Sequence, residues 1–203
     1  MSPSNHSTRA LSLASLAVLS WLGTSACAKR EQAGTDTSGA SAAATPPPPA
    51  APAINDAQIA HIVVTANSID SSAGVMAKQK GASKSVKDFA QTMITDHSSL
   101  NKQSVSLAKK LNVTPEDNDV SRQLTSGADQ SKSNLQNMTG AAFDSSYIAH
   151  EVDYHQAVLD ALDKTLIPGA QNAELKSLLE KARPIVAAHL DRAKSVQGSL
   201  GTK

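Results

Sequence analysis

From residue 54 to the end of the chain, bulky apolar side chains recur at separations of three and four, and no stretch alternates cleanly over a strand's length. A helical period of 3.6 reproduces that spacing and a strand period of two does not, so the segment is read as all-α. At about 150 residues it has the usual size of one domain with one core. Five helices can be bounded by their end signals. The first starts at Asn55, with Gln58 three residues on in a capping-box arrangement. It carries Ile59, Ile62, Val63, Ala66, Ile69, Ala73 and Met76, and stops at Gly81. The second begins near Ser85, with Asp88 at the matching offset, and runs through Phe89, Met93, Ile94, Leu100, Leu107 and Leu111. For the third, Thr114-Pro115-Glu116-Asp117 offers a cap, a proline at the first helical position and an early acidic turn. Its apolar stripe of Val120, Leu124, Ala128, Leu135 and Met138 is thin. The fourth spans 142–166 and is expected to end at Pro168-Gly169. The fifth runs from Asn172 to Leu200 and contains Pro184, which lacks a backbone donor and crowds the carbonyl of Glu180, so a kink or restart is expected there. Long antiparallel helices with short connections fit an up-down four-helix bundle with an additional or kinked helix. In such bundles, sites are built from side chains projecting inward from facing helices.

Ahead of this segment the chain carries Arg9, then the uncharged run Ala10 to Leu22, then the small-residue stretch Gly23 to Cys27. A bilayer span takes about 20 apolar residues, so this shorter run reads as a signal peptide over residues 1–27, and export is expected. Cys27 is the only cysteine, which excludes an intrachain disulfide. It follows Ser25 and Ala26, where a bacterial lipoprotein signal ends, and lipidation at Cys27 is the favoured reading. Thr24 departs from that pattern, where Leu or a similar residue is usual. Ala26-Cys27-Ala28 also offers a small-x-small cleavage site that would leave a soluble periplasmic product. Residues 28–53 hold almost no bulky apolar side chain and include Pro46 to Pro49, so they form a disordered linker reaching about 30 Å as a flexible coil. A tether behind an acylation site suits a domain standing off a membrane. The expected address is the bacterial cell envelope, periplasmic and tethered to the outer membrane.

Charges in residues 54–203 balance to zero, and the aromatics there are Phe89, Phe143, Tyr147 and Tyr154. With no basic excess and few rings to stack on bases, nucleic-acid binding is not expected. The single cysteine lies outside the domain, no Gly-x-Ser-x-Gly elbow occurs and no glycine loop could cradle phosphates, so the sequence supports neither nucleophilic catalysis nor nucleotide binding.

The polar feature that stands out is a set of histidines. His97, His155 and His189 each lie mid-helix on the apolar stripe of a separate predicted helix. Aligned on His97 and His155, the second and fourth helices match Phe89 with Tyr147, Ile94 with Val152 and Leu100 with Val158. Either a degenerate hairpin repeat or the chance agreement of two periodic helices produces such a match. Glu151 precedes His155 by four and shares its face, whereas Asp96 adjoins His97 about 100° round the helix. Imidazole and carboxylate are ligand types for Zn, Mn, Fe or Cu, so His97, Glu151, His155, His189 and Asp96 are candidate ligands of one transition-metal ion inside the bundle. A buried hydrogen-bonded network that locks register is the competing account. A di-iron carboxylate centre would need two Glu-x-x-His motifs, and the residues three before these histidines are Ile94, Val152 and Val186. His150 lies about 140° from His155 and is placed at an edge; His61 is off its stripe and is read as solvated; His6 leaves with the signal peptide.

VKDFAQTMITDHSSLNKQ (86–103), FDSSYIAHEVDYHQAVLDAL (143–162) and ARPIVAAHLDRAK (182–194) resemble the ferritin-like family of predicted bacterial outer-membrane proteins catalogued as a domain of unknown function. The resemblance covers 56–200 and implies a ferritin-like bundle in an exported, often lipid-anchored protein. It places the family's characteristic positions at Asp96 and His97, at Tyr147, His150, Glu151 and His155, and at Pro184, His189 and Leu190. It assigns no chemistry. Two functional readings follow. One is a non-enzymatic binding or stress-related envelope lipoprotein whose histidines serve structure or bind one metal ion. The other is a metal-dependent oxidoreductase with an atypical His/Glu site.

Overall fold

A computed structural model of the chain describes residues 54–201. The expected signal peptide, Cys27 and the linker lie outside the described residues. The described residues form α1 (Asp56–Lys80), α2 (Lys84–Lys110), α3 (Asp119–Gln136), α4 (Gly140–Ala161), a π-helical turn (Leu162–Leu166), the short α5 (Ile167–Gly169) and α6 (Ala173–Leu200), with no strand among them. The all-α reading holds. No helix among them is long and apolar enough to cross a membrane.

Helix starts show where local signals suffice. At α1 they do: the Asn55 side chain accepts from the Gln58 amide at 2.8 Å, and the Gln58 side chain accepts from the Asn55 amide at 3.2 Å. At α2 the cap is Ser83 rather than Ser85, and Asp88 pairs with Lys84 instead of closing a capping box. The cause is tertiary. Asp144 on α4 accepts the amides of Ala82 and Ser83 at 2.8 and 2.7 Å, which fixes the chain just ahead of the helix. α3 starts after Asn118, whose reciprocal box with Ser121 prevails over the earlier Thr114-Pro115 signal. Glu116 instead donates its amide to the Ala57 carbonyl at 3.0 Å. The fourth helical run continues from α4 through the π turn into α5 and ends at Gly169, as the Pro168-Gly169 signal predicts; Pro168 itself falls in the first turn of α5, where its missing donor is not needed. α6 runs through Pro184 without a restart.

α1 packs most extensively on α2, and α4 on α6; contacts of α2 with α6 and of α1 with α4 close a ring of four helices. Gly74 permits the closest approach, since a Cβ there would lie 3.0 Å from the Ala90 carbonyl oxygen and 3.0 Å from Ile94 Cγ1. Across the ring, Phe89 faces Tyr147 at 6.1 Å between ring centroids and His97 faces His155 at 5.6 Å, so α2 and α4 run parallel. The middle connection is therefore not short. α3 carries the chain back along the bundle, resting on α1 and α4. The core divides into one apolar cluster around Phe89, Met93, Phe143 and Tyr147 and another around Ile59, Ile62, Leu162 and Leu179. Between them lies a layer of buried polar groups.

Candidate functional site

Three of the four ring helices bring a histidine into this layer: His97 from α2, His155 from α4 and His189 from α6, exposed by 3, 0 and 4%. Their ring centroids are 5.0 to 5.6 Å apart, and each ring offers a nitrogen within 4.8 Å of the others. α1 completes the layer with Asn67 and Asp70. Asp70, Glu151 and His155 form a second, overlapping group with ligand atoms within 4.8 Å of one another.

Hydrogen bonds around the rings settle which nitrogens carry protons. The Asn67 amide nitrogen donates to the Val63 carbonyl at 2.8 Å, so its oxygen faces His97 Nδ1 at 2.9 Å and that nitrogen must donate. His155 Nδ1 lies 2.9 Å from the Glu151 carbonyl oxygen, which can only accept. His189 Nε2 donates to Asp96 Oδ2 at 2.9 Å. The other nitrogens, His97 Nε2, His155 Nε2 and His189 Nδ1, are buried without a hydrogen-bond partner. Burial pushes His97 down to about 3, with the nearby His189 and His155 adding to the effect. It pushes His155 down to about 4 in spite of the Glu151 backbone bond. His189 is lowered by burial too, with Asp96 opposing. At neutral pH all three rings are therefore uncharged, and each keeps a bare lone pair.

Next to them, burial raises Glu151 to about 8, the Tyr147 hydroxyl working in the other direction. Asp70 is pushed well above the carboxylate range by burial and then by the charge of Glu151. Asp70 Oδ2 is 3.5 Å from His97 Nε2, and Glu151 Oε2 is 3.4 Å from His155 Nδ1. Without a cation, burial favours the protonated form of both acids. Neutral imidazoles and carboxylates suit a first-row divalent ion, and rings oriented through their second nitrogen are the usual support of metal-ligating histidines.

The candidate residues thus separate into two groups. His97, His155 and His189 come together, and Glu151 joins His155 in the overlapping group with Asp70. Asp96 stands outside the layer, its side chain 39% exposed, and orients His189. His150 is half-buried at a rim, its ring 5.8 Å from that of Tyr154. His61 is not simply solvated: it is half-buried, with Nδ1 4.0 Å from Asp117. Sequence reasoning missed Asp70 and Asn67, although a signal existed. Along α1 the buried positions are Ile59, Ala60, Ile62, Asn67, Asp70, Gly74 and Ala77, so two polar residues occupy the helical stripe.

No curated protein and no solved structure matches the chain. A family pattern does match, over residues 40–196 and so over most of the chain, the histidine layer included. The chain belongs to the family described as a domain of unknown function, DUF4142.

Proposed function

We propose that the domain binds one divalent transition-metal ion on His97, His155 and His189, with Asp70 and Glu151 supplying its oxygen side. The observation that carries this reading is the set of three buried, partnerless imidazole nitrogens brought together from three helices. A register-locking network accounts for the outer nitrogens, which are paired, but leaves the inner three unmatched at about 1–3 kcal/mol each. One water has two protons and cannot serve three lone pairs. A cation serves all three and lets the neighbouring acids ionise.

Around this site the protein is proposed to be an exported lipoprotein of the bacterial envelope, anchored through Cys27 and holding the domain off the outer membrane on residues 28–53. A ferritin-like fold is supported by the single long crossover between α2 and α4. The paired Glu-x-x-His motifs of di-iron enzymes are missing, which favours a binding module over a catalyst. The test is metal analysis of the full chain purified without a histidine tag, with melting followed on addition of Zn, Mn, Fe or Cu. About one equivalent should bind, and ion at a hundredfold excess over Kd should add about 2.7 kcal/mol. Substoichiometric metal with no rise in melting temperature would overturn the proposal. Metal-dependent consumption of peroxide or oxygen would reassign the domain as an oxidoreductase.

A further inference from the structure

Beside the histidine layer lies a cavity of about 220 Å³ that meets the layer at His97 and Asp70. Its wall is aliphatic, formed among others by Ile62, Leu100, Leu124, Val158, Leu162 and Leu166. Its polar members are Asn67, Asp70, His97 and Tyr154. Two helix irregularities border it. The π turn supplies Leu162 and Leu166, and Ala182 and Val186 flank Pro184 on α6. Single π turns inside helices are frequent at functional sites. α3 roofs it with Val120 and Leu124. That helix is pinned at both ends, by buried Ser121 and by buried Leu135, and no residue between them is buried. Between those ends Leu124 rests, half-buried, against the apolar cluster around Ile59 and Ile62.

Size, wall and anchor together narrow the occupant. An apolar cavity of about 150 Å³ admits benzene, so this one has room for a somewhat larger molecule. No lysine or arginine lines it, so an anion would find no counter-charge, and an aliphatic wall disfavours any ion. His97 lines the cavity but its partnerless Nε2 is buried behind the wall, with Asp70 Oδ2 3.5 Å away, so a donor hydroxyl gains this one acceptor by a small shift of the His97 and Asp70 side chains toward the cavity. We propose that the cavity binds an uncharged, hydrophobic small molecule of about phenol to naphthol size, with a single hydroxyl held at the His97–Asp70 end. It rests on the metal reading only for what the hydroxyl meets in the loaded protein, where its oxygen becomes a further ligand atom for the ion.

The experiment titrates 1-naphthol, followed by its fluorescence, into the full chain after chelator treatment and again after metal loading. Naphthalene serves as the probe without a hydroxyl, and Ala161→Phe and Leu124→Phe fill the cavity from its wall and its roof. Saturable one-to-one binding of 1-naphthol is expected, at least tenfold weaker for naphthalene and at least tenfold weaker in a filled variant whose melting temperature and metal content match the parent. Failure of binding to saturate, or equal affinity in the parent and both folded variants, overturns the cavity site. Equal affinity for the two probes, lost on filling, overturns the hydroxyl anchor. Because binding is read in chelated protein as well, an absence of metal sinks the metal reading and leaves this one to be judged by the filled variants.

Discussion

At His97 the division of labour between two ring nitrogens decides what the residue can do. One is held by Asn67 and so carries the proton, which leaves the other a bare acceptor in the core. The energetics are opposite in sign for the two kinds of group in the layer. His97 and His155 titrate near 3 and 4 in the folded chain against about 6.5 when unfolded, so the stability they contribute is complete above pH 6.5 and is lost as pH falls toward those values. Glu151 titrates near 8 when folded against 4.5 when unfolded, so its contribution is complete below pH 4.5 and is lost as pH rises through 8. Chelated protein should therefore melt at its highest temperature near pH 6.5: below it the two histidines lose more than the one carboxyl gains, and above it only Glu151 titrates and stability falls. Scanning calorimetry across pH 4 to 9 checks this. Glu151→Gln should flatten the alkaline limb, and an unchanged alkaline limb in that variant would show that Glu151 does not titrate as a buried acid. Sequence made the histidines conspicuous, because a polar residue on an apolar stripe breaks a pattern. It hid Asp70, because α1 is only weakly amphipathic and the apolar Ile69 and Ala73 lie on either side of it.

Between elements, the approach of α1 to α2 is set by what Gly74 lacks. A valine there would bring its Cβ to 3.0 Å from the Ala90 carbonyl oxygen, which cannot swing aside, and would add two methyls beyond it. Gly74→Val should lower stability by about 1–3 kcal/mol in urea unfolding. A midpoint equal to that of the parent would mean that the two helices part at little cost. The helices themselves were legible because a period of three and four persists over each of them. Their first residues were legible only where the capping partners are local, as with Asn55 and Gln58. Asp144, which caps the approach to α2 from α4, lies some sixty residues downstream, and no window on the sequence joins the two. The expectation of short connections fails at α3 for a related reason: its thin stripe marks a helix, but nothing local shows that the helix serves as the connection between two parallel ones.

For the whole molecule, the address is carried by residues outside the folded domain and can be tested there. Cys27→Ser should move the protein from the membrane fraction to the soluble fraction in cells, with the folded domain unaltered in circular dichroism. Unchanged fractionation would assign the attachment to something other than a lipid on that cysteine. The core itself is made by two hairpins, α1 with α2 and α4 with α6, that are continuous in sequence only through α3. His97 belongs to the first hairpin, and His155 and His189 belong to the second. An ion shared by these three residues acts as a reversible clasp between the two halves, closing a long loop in the same way that a cross-link does. Its loss would then be felt less in the secondary structure, which each hairpin supports alone, than in how often the halves part, so hydrogen exchange at the α2–α6 seam would register the metal before any change in helix content.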